Sequence, residues 1–160
     1  MLPNEQSRSE PEGGEPGHDV ALRVRAMNTA DYERVLALWE RSEGVGLGES
    51  DSQEGVAGFL RRNPGLSAVA ESSGGEIVGA VLCGHDGRRG YLHHLAVDAA
   101  HRGRGIGRRL VAHCFSGLAN AKIPKCNIFV FRESPAAVAF WTHNGWSAPT
   151  WQIMQKRVDA

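Results

Sequence analysis

Segment 98–110 most constrains what this chain can fold into, because it is basic and rich in glycine. A strand-like apolar run, 91–97, precedes it, and a run with helical spacing begins at Ile106. Glycines let several backbone N–H groups point into one concavity, and a helix N-terminus adds the positive end of its dipole. The order strand, turn, helix therefore predicts a phosphate-binding turn. Four arginines add full positive charges to it: Arg102, Arg104, Arg108 and Arg109.

Composition narrows the class of protein. The chain has 160 residues, of which 41% are hydrophobic, enough for one sizeable core. The formal net charge is zero, so we expect neither a nucleic-acid partner nor a membrane partner. The widely spaced Cys83, Cys114 and Cys126 predict reduced core residues and no metal site. The chain shows neither an apolar run of membrane-spanning length nor a hydrophobic signal core, so we expect a cytoplasmic protein.

The chain divides into a tail and one folded domain. Residues 1–19 are rich in Glu, Gly, Pro and Ser, and they predict a disordered acidic tail. Residues 20–160 predict a single domain.

Periodicity and turn signals predict the elements of that domain. Helices are expected over 31–41 after a Thr29 cap, to about 62 after a Ser52 cap, over 106–121, and over 135–143 after a Ser134 cap. Strands are expected over 20–27, 66–71, 76–84, 91–97 and 126–131, with one or two more in 146–158. The order is β-α-α-β-β-β-α-β-α-β-β. This predicts an α/β (α+β) fold with a mixed sheet of about six to seven strands flanked by about four helices.

Other readings of the glycine turn are weaker. A nucleotide P-loop requires Gly-Lys-Ser or Gly-Lys-Thr, and the segment has neither. A dinucleotide-binding turn follows the first strand of a parallel unit, whereas this one follows the fourth strand of a meander. The structural alternative is a basic turn that binds nothing.

Two segments carry a family resemblance. Strand residues 95–98, then Arg102-x-x-Gly105-x-Gly107, then a helix, resemble the acetyl-CoA signature of the GNAT N-acetyltransferases. Segment 134–146 is similar to the second cofactor segment of that family. The resemblance covers nearly everything after about residue 20. Segments 38–41 and 84–90 look closest to small bacterial YpeA-type members.

The resemblance implies a fold and an activity. The sheet would be of GNAT type and largely antiparallel. The protein would transfer an acetyl group from acetyl-CoA, its cosubstrate, to a primary amine of a small molecule or of a peptide or protein. Transfer would be direct, in a ternary complex, and a homodimer stays open.

The resemblance also implies cofactor contacts. Backbone groups of 95–97 would pair with the pantetheine arm, and N–H groups of 103–108 would bind the pyrophosphate. Ser134 stands where the family usually has Asn, and its hydroxyl lacks the reach of the amide. The expected cofactor-binding residues are Leu95, Ala96, Val97, Arg102, Gly103, Arg104, Gly105, Ile106, Gly107, Arg108, Ser134, Phe140 and Trp141.

Catalysis would centre on strand 91–97. The family pattern places the Leu95 N–H where it polarises the thioester carbonyl. His93 is the first candidate for the general base, and arylalkylamine acetyltransferases have a catalytic His at the matching position. Strand alternation puts Tyr91, His93 and Leu95 on one face and His94 on the other. The alternatives are a histidine that only packs in the sheet, and deprotonation through ordered water.

The departing thiolate has no obvious proton donor. Many relatives place a Tyr at the position of Trp141, whose indole N–H donates a hydrogen bond but does not release its proton. Trp141 therefore stabilises a thiolate at best, or belongs to the core. Tyr91 is the substitute candidate, with sheet packing and solvent as alternatives.

The acceptor-binding region is the least defined. Acidic residues near the first two helices suit a cationic amine, and two tryptophans could line an apolar acceptor pocket; these are Glu43, Glu49, Asp51, Glu54, Trp146 and Trp151. The missing Tyr leaves open a non-catalytic module that binds or senses acyl-CoA. Nucleic-acid binding through the basic turn would need more basic surface than this neutral chain has.

Overall fold

The structure, a computed structural model, describes residues 21–150 and 152–158. The predicted tail, 1–19, and Trp151 lie outside the described residues. In the described part, the helices and strands are β1 (Arg23–Ala26), α1 (Tyr32–Glu40), α2 (Gln53–Arg62), β2 (Ala68–Glu71), β3 (Ile77–His85), β4 (Gly90–Val97), α3 (Ile106–Asn120), β5 (Cys126–Ile128) and α4 (Pro135–His143). Short 3-10 turns cover Thr29–Asp31, Glu49–Asp51 and Ala99–His101.

The five strands form one sheet whose spatial order follows the chain. Strands β1 to β4 pair antiparallel, and β5 returns parallel to β4 after crossing through α3. One core lies between the sheet and α3, and the other lies between the sheet and helices α1 and α2. The predicted mixed α/β fold is therefore confirmed. Among the described helices, none combines the length and apolar character needed to cross a membrane.

The sheet has fewer strands than predicted. We expected about six to seven strands from the sequence, and the described residues form five. The predicted strand segments in 146–158 are absent from the described part, where 152–158 are exposed throughout. Strand β5 ends at Ile128 rather than at 131, so its outer edge offers only three residues for pairing. A strand needs an apolar face and a partner to be stable, and Met154 and Val158 stay 90% and 97% exposed.

The predicted helix boundaries hold closely, with one different cap. The Ser52 side chain accepts the Gly55 N–H at the start of α2, as predicted. Asn28 rather than Thr29 caps the turn before α1: its side chain accepts the Ala30 N–H while Asp31 accepts the Asn28 N–H. Asn28 has the extended backbone that a cap residue needs, and Thr29 already lies inside the turn.

Strand β4 contains an extra residue that reverses its alternation. Ala80 of β3 pairs with Ala96, but Leu82 pairs with His93, so three steps on β4 face two on β3. His94 takes up the difference in the left-handed region, at φ 53°. Beyond the bulge, Leu95 packs with the α3 core, while Ala96 packs with the core of α1 and α2.

The predicted faces of β4 are therefore wrong. His93 contacts Phe59 of α2 and His94 contacts Trp39 of α1, so both histidines share one face. Leu95 lies on the opposite face. Regular period-two alternation cannot survive an inserted residue.

Candidate active site

An open edge of β4 forms the centre of the site. Pairing between β4 and β5 ends at Leu92 and Ile128, whereas β4 continues to Val97. The two strands therefore separate, and residues 95–97 line a cavity of about 580 Å³. An extended chain with polar atoms can pair with such an edge as an added strand.

The glycine turn closes one end of this cavity. Gly103 and Gly105 have φ angles of 77° and 73°, which glycine adopts without strain. Gly105 is the N-cap of α3 and makes no side-chain cap, so the first N–H groups of the helix have no intrahelical partner. Arg102 Nε donates to the Val97 carbonyl at 3.2 Å and fixes the turn to the end of β4. The turn is built to bind an anion.

Helix α4 forms the opposite wall. Ser134, Phe140 and Trp141 line the same cavity from this helix. A Cβ added at Gly107 would lie 3.2 Å from Phe140 Cζ, so the absence of a side chain lets that ring sit against α3. Donors at one end and apolar walls along the length fit a long cofactor that carries a diphosphate.

The structure brings twelve of the thirteen predicted cofactor residues to this one cavity, and Arg104 is outside its lining. Arg109, which belongs to the basic turn, donates instead to the Leu22 carbonyl at 2.9 Å. Sequence reasoning missed several further lining residues, because they come from loops and from the end of α4 with no motif of their own: Ser42, His101, Ala136, Ala137, His143 and Asn144.

A second cavity of about 220 Å³ adjoins the first and contains His93 and His94. The two cavities share five lining residues, Glu43, Leu95, Ser134, Ala137 and Trp141. A ligand in one cavity can therefore meet a ligand in the other beside Leu95 and Trp141.

His93 lies among aromatic rings. Its ring is edge-on to Phe59 at 6.0 Å and nearly parallel to Tyr91 and Phe129 at 6.5 and 5.8 Å. Burial lowers the pKa of His93, and the neighbouring His94 lowers it further while Asp51 opposes the shift. The imidazole is therefore neutral near pH 7 and has a lone pair that can accept a proton.

His94 is held from both sides by contacts that the sequence did not reveal. Its Nε2 lies 2.8 Å from Asp51 Oδ1, and its carbonyl accepts the Trp39 Nε1–H at 3.0 Å. The Tyr32 hydroxyl donates to the Asp51 carbonyl at 2.9 Å and anchors that turn. The signals were the paired histidines and an aspartate just before a cap residue, but their 43-residue separation hid the contact.

The remaining candidate residues take structural positions. Trp141 is 7% exposed and lies between Phe140 and Trp146, with ring centroids 5.1 and 4.9 Å away. Tyr91 stacks beside His93 and is outside the lining of both cavities. Trp146 packs on Trp141 rather than in the second cavity. Over the described residues, no cluster of three metal-binding side chains occurs.

The acetyltransferase (GNAT) family model matches residues 32–146. This chain belongs to the GNAT family. Acetyltransferase SG1711 of Sodalis glossinidius (strain morsitans) is 32% identical to it over 120 residues, which are 75% of this chain and 83% of that protein. Family membership and relatives of this kind place the chain among the N-acetyltransferases.

Solved GNAT structures share the fold. The PaiA N-acetyltransferase of Thermoplasma acidophilum, in complex with coenzyme A, matches with a TM-score of 0.72 at 16% identity, over 82% of this chain and 93% of that chain. AAC(6')-Iy in complex with the bisubstrate analogue CoA-S-monomethyl-acetylneamine matches with a TM-score of 0.66 at 15% identity, over 88% of this chain and 99% of that chain.

Proposed function

We propose that this GNAT enzyme transfers an acetyl group from acetyl-CoA directly to a primary amine of a small molecule, peptide or protein. The observation that carries the proposal is the junction of the two cavities at Leu95 and Trp141. The larger cavity has the diphosphate donors, and the smaller one has a neutral imidazole. Donor and acceptor bound together in adjoining cavities form a ternary complex.

The cysteines support direct transfer over an acetylated enzyme. Cys83 and Cys114 are fully buried, and burial raises the pKa of Cys126 to about 12. A thiol is a nucleophile only as the thiolate, so a raised pKa disfavours attack on a thioester. In the described lining of the two cavities there is no cysteine.

Each group at the junction has a proposed role. Bound acetyl-CoA supplies the activated acyl thioester. The Leu95 N–H polarises the thioester carbonyl, and His93 accepts the proton that the amine loses as its C–N bond forms. The Trp141 indole N–H donates to the sulfur as the C–S bond breaks, and the thiolate takes its proton from solvent or from Tyr91.

The experiment measures free thiol after the protein is mixed with acetyl-CoA and a panel of primary amines. We expect thiol release that depends on the amine, and calorimetric CoA binding that Gly105→Glu abolishes. His93→Ala should lose the acidic limb of the pH–rate profile. CoA binding with no turnover across the panel would replace this proposal with a non-catalytic acyl-CoA-binding or sensing module, and a wild-type pH profile for His93→Ala would remove His93 from the mechanism.

A further inference from the structure

The acceptor cavity is walled by apolar and aromatic side chains. Leu92, Ile128 and Val130 line it together with Phe129, Phe131 and Trp141. In the described lining there is no lysine or arginine, and Glu43 is the sole carboxylate. The cavity therefore differs from the cofactor cavity, where arginines line the turn.

Two phenylalanines in this wall are exposed. Phe129 is 53% exposed and Phe131 is 55% exposed, although both are large apolar side chains. Phe129 is nearly parallel to His93 at 5.8 Å, with 20° between the rings, so it extends the aromatic surface around the candidate base. A Cβ at Gly46 would lie 3.1 Å from Phe131 Cζ, so the glycine loop accommodates this ring at the cavity mouth. Apolar rings grouped beside a cavity mark a binding surface.

The charges at the cavity favour a cation. Glu43 lines both cavities, so a carboxylate stands where the acceptor amine would meet the acyl group. An acceptor with a phosphate or carboxylate would find no cationic side chain within the described lining to pair with it. A sugar would place hydroxyl groups against Leu92, Ile128 and Val130, which offer no side-chain hydrogen bonds.

The size of the cavity limits the substituent. Drug-sized ligands occupy cavities of about 300 to 1,000 Å³, whereas this cavity measures about 220 Å³. It accommodates one ring or one branched chain beside the reacting amine.

From these observations we infer that the acceptor is a primary amine with one apolar substituent of about the size of a phenyl ring. The same chemistry occurs in a free alkyl or aryl amine and at the first residue of a peptide. The inference rests on the proposed function and specifies its acceptor.

The test compares amines that differ in one feature. Phenethylamine, isoamylamine, ethanolamine and phosphoethanolamine are offered with acetyl-CoA, and phenylalanine amide and glycine amide represent peptide N-termini. We expect kcat/KM about tenfold to a hundredfold higher for phenethylamine than for ethanolamine, and lowest for phosphoethanolamine. The pair of amides shows whether the α-amine of a residue is accepted equally.

Variants locate the preference. Phe129→Ala and Phe131→Ala should each lower kcat/KM for phenethylamine about tenfold while leaving ethanolamine and CoA affinity within twofold. Phe115→Ala is the control, because Phe115 is 41% exposed on α3 and packs with Trp146 away from this cavity. Glu43→Gln should weaken the binding of all cationic amines.

The outcomes separate the two proposals. Equal or better turnover of ethanolamine or phosphoethanolamine would overturn the inference and leave the acetyl transfer intact. Calorimetric binding of phenethylamine to the CoA complex without thiol release would support the apolar amine site and overturn only the transfer. Neither binding nor turnover of any apolar amine would overturn the inference.

Discussion

Asp51→Asn tests how the acceptor side of the site is held. Asp51 uses both carboxylate oxygens: Oδ1 contacts His94 Nε2 at 2.8 Å, and Oδ2 accepts the Gly48 N–H at 2.7 Å. Asn keeps the shape but offers one acceptor oxygen, so one contact changes and the negative charge is lost.

The expected loss of stability follows from burial. The Asp51 and His94 side chains are 11% and 18% exposed, so their contact is poorly screened by water. A hydrogen bond to a charged group contributes about 1.5–3 kcal/mol and a neutral one about 0.5–1.5 kcal/mol. We therefore expect Asp51→Asn to lower the free energy of unfolding by about 1.5 kcal/mol, a fall in Tm of roughly 3–6 °C for a domain of this size.

The same substitution should shift the pH dependence. Asp51 raises the pKa of His93 against burial and His94, so removing the carboxylate lowers that pKa further. A base works in its neutral form, and activity rises with pH through its pKa. The acidic limb of kcat/KM should therefore move to lower pH, with a smaller plateau because the base is weaker.

Urea unfolding and pH–rate profiles measure both effects. Glu33→Gln is the control, because Glu33 is an exposed acid in the first turn of α1. The reasoning fails if Asp51→Asn unfolds like the wild type, or if its acidic limb moves to higher pH.

Two further predictions concern the stability of the sheet edge and the fit of the cofactor. Asp31 is 1% exposed and is held by Arg25 and Arg34, so Asp31→Asn should lower the free energy of unfolding by about 3 kcal/mol in urea titrations, and a loss under 1 kcal/mol would contradict this. Burial acts to raise the pKa of Asp31, but the hydrogen bonds from Arg25 and from the Asn28 N–H outweigh it and hold the pKa below its usual value. The stability that this lowered pKa contributes is present above about pH 4 and should be lost as the pH falls further, as acid titrations of Tm would show. Gly107→Val should push Phe140 into the cofactor cavity and raise the Kd for CoA about tenfold by calorimetry, whereas Gly58→Val, on α2 with open space around it, should leave CoA affinity unchanged. Unchanged affinity in Gly107→Val would show that the ring has room to move.

Local signals were sufficient for the cofactor turn. Gly103 and Gly105 are needed where the backbone is left-handed, and Ser52 and Pro135 mark helix starts through contacts within one turn. Such features depend on neighbours in sequence, so they are legible before any tertiary structure is known. The cofactor cavity followed because its residues lie in two short segments.

The acceptor side depended on pairing between distant segments. The run 91–97 reads as regular alternation, and only its register with β3 shows that His94 is an extra residue. Phe129 and Phe131 read as ordinary strand residues of a longer β5, yet the strand ends at Ile128 and leaves both rings exposed. Tertiary pairing, which a single sequence does not encode locally, decided both outcomes.

The left-handed conformation of His94 explains why the two cavities meet where they do. A non-glycine residue in that region costs of the order of 1–2 kcal/mol, and the contacts with Asp51 and Trp39 offset it. Without the bulge, Leu95 would share the face of His93 and its side chain would fill the acceptor side. With it, Leu95 reaches to within 3.9 Å of a Cβ position at Gly107 on the cofactor side, while His93 stays with Phe129 on the other. One inserted residue thus sets the proposed base and the proposed carbonyl donor on opposite sides of the junction where an amine and a thioester would meet.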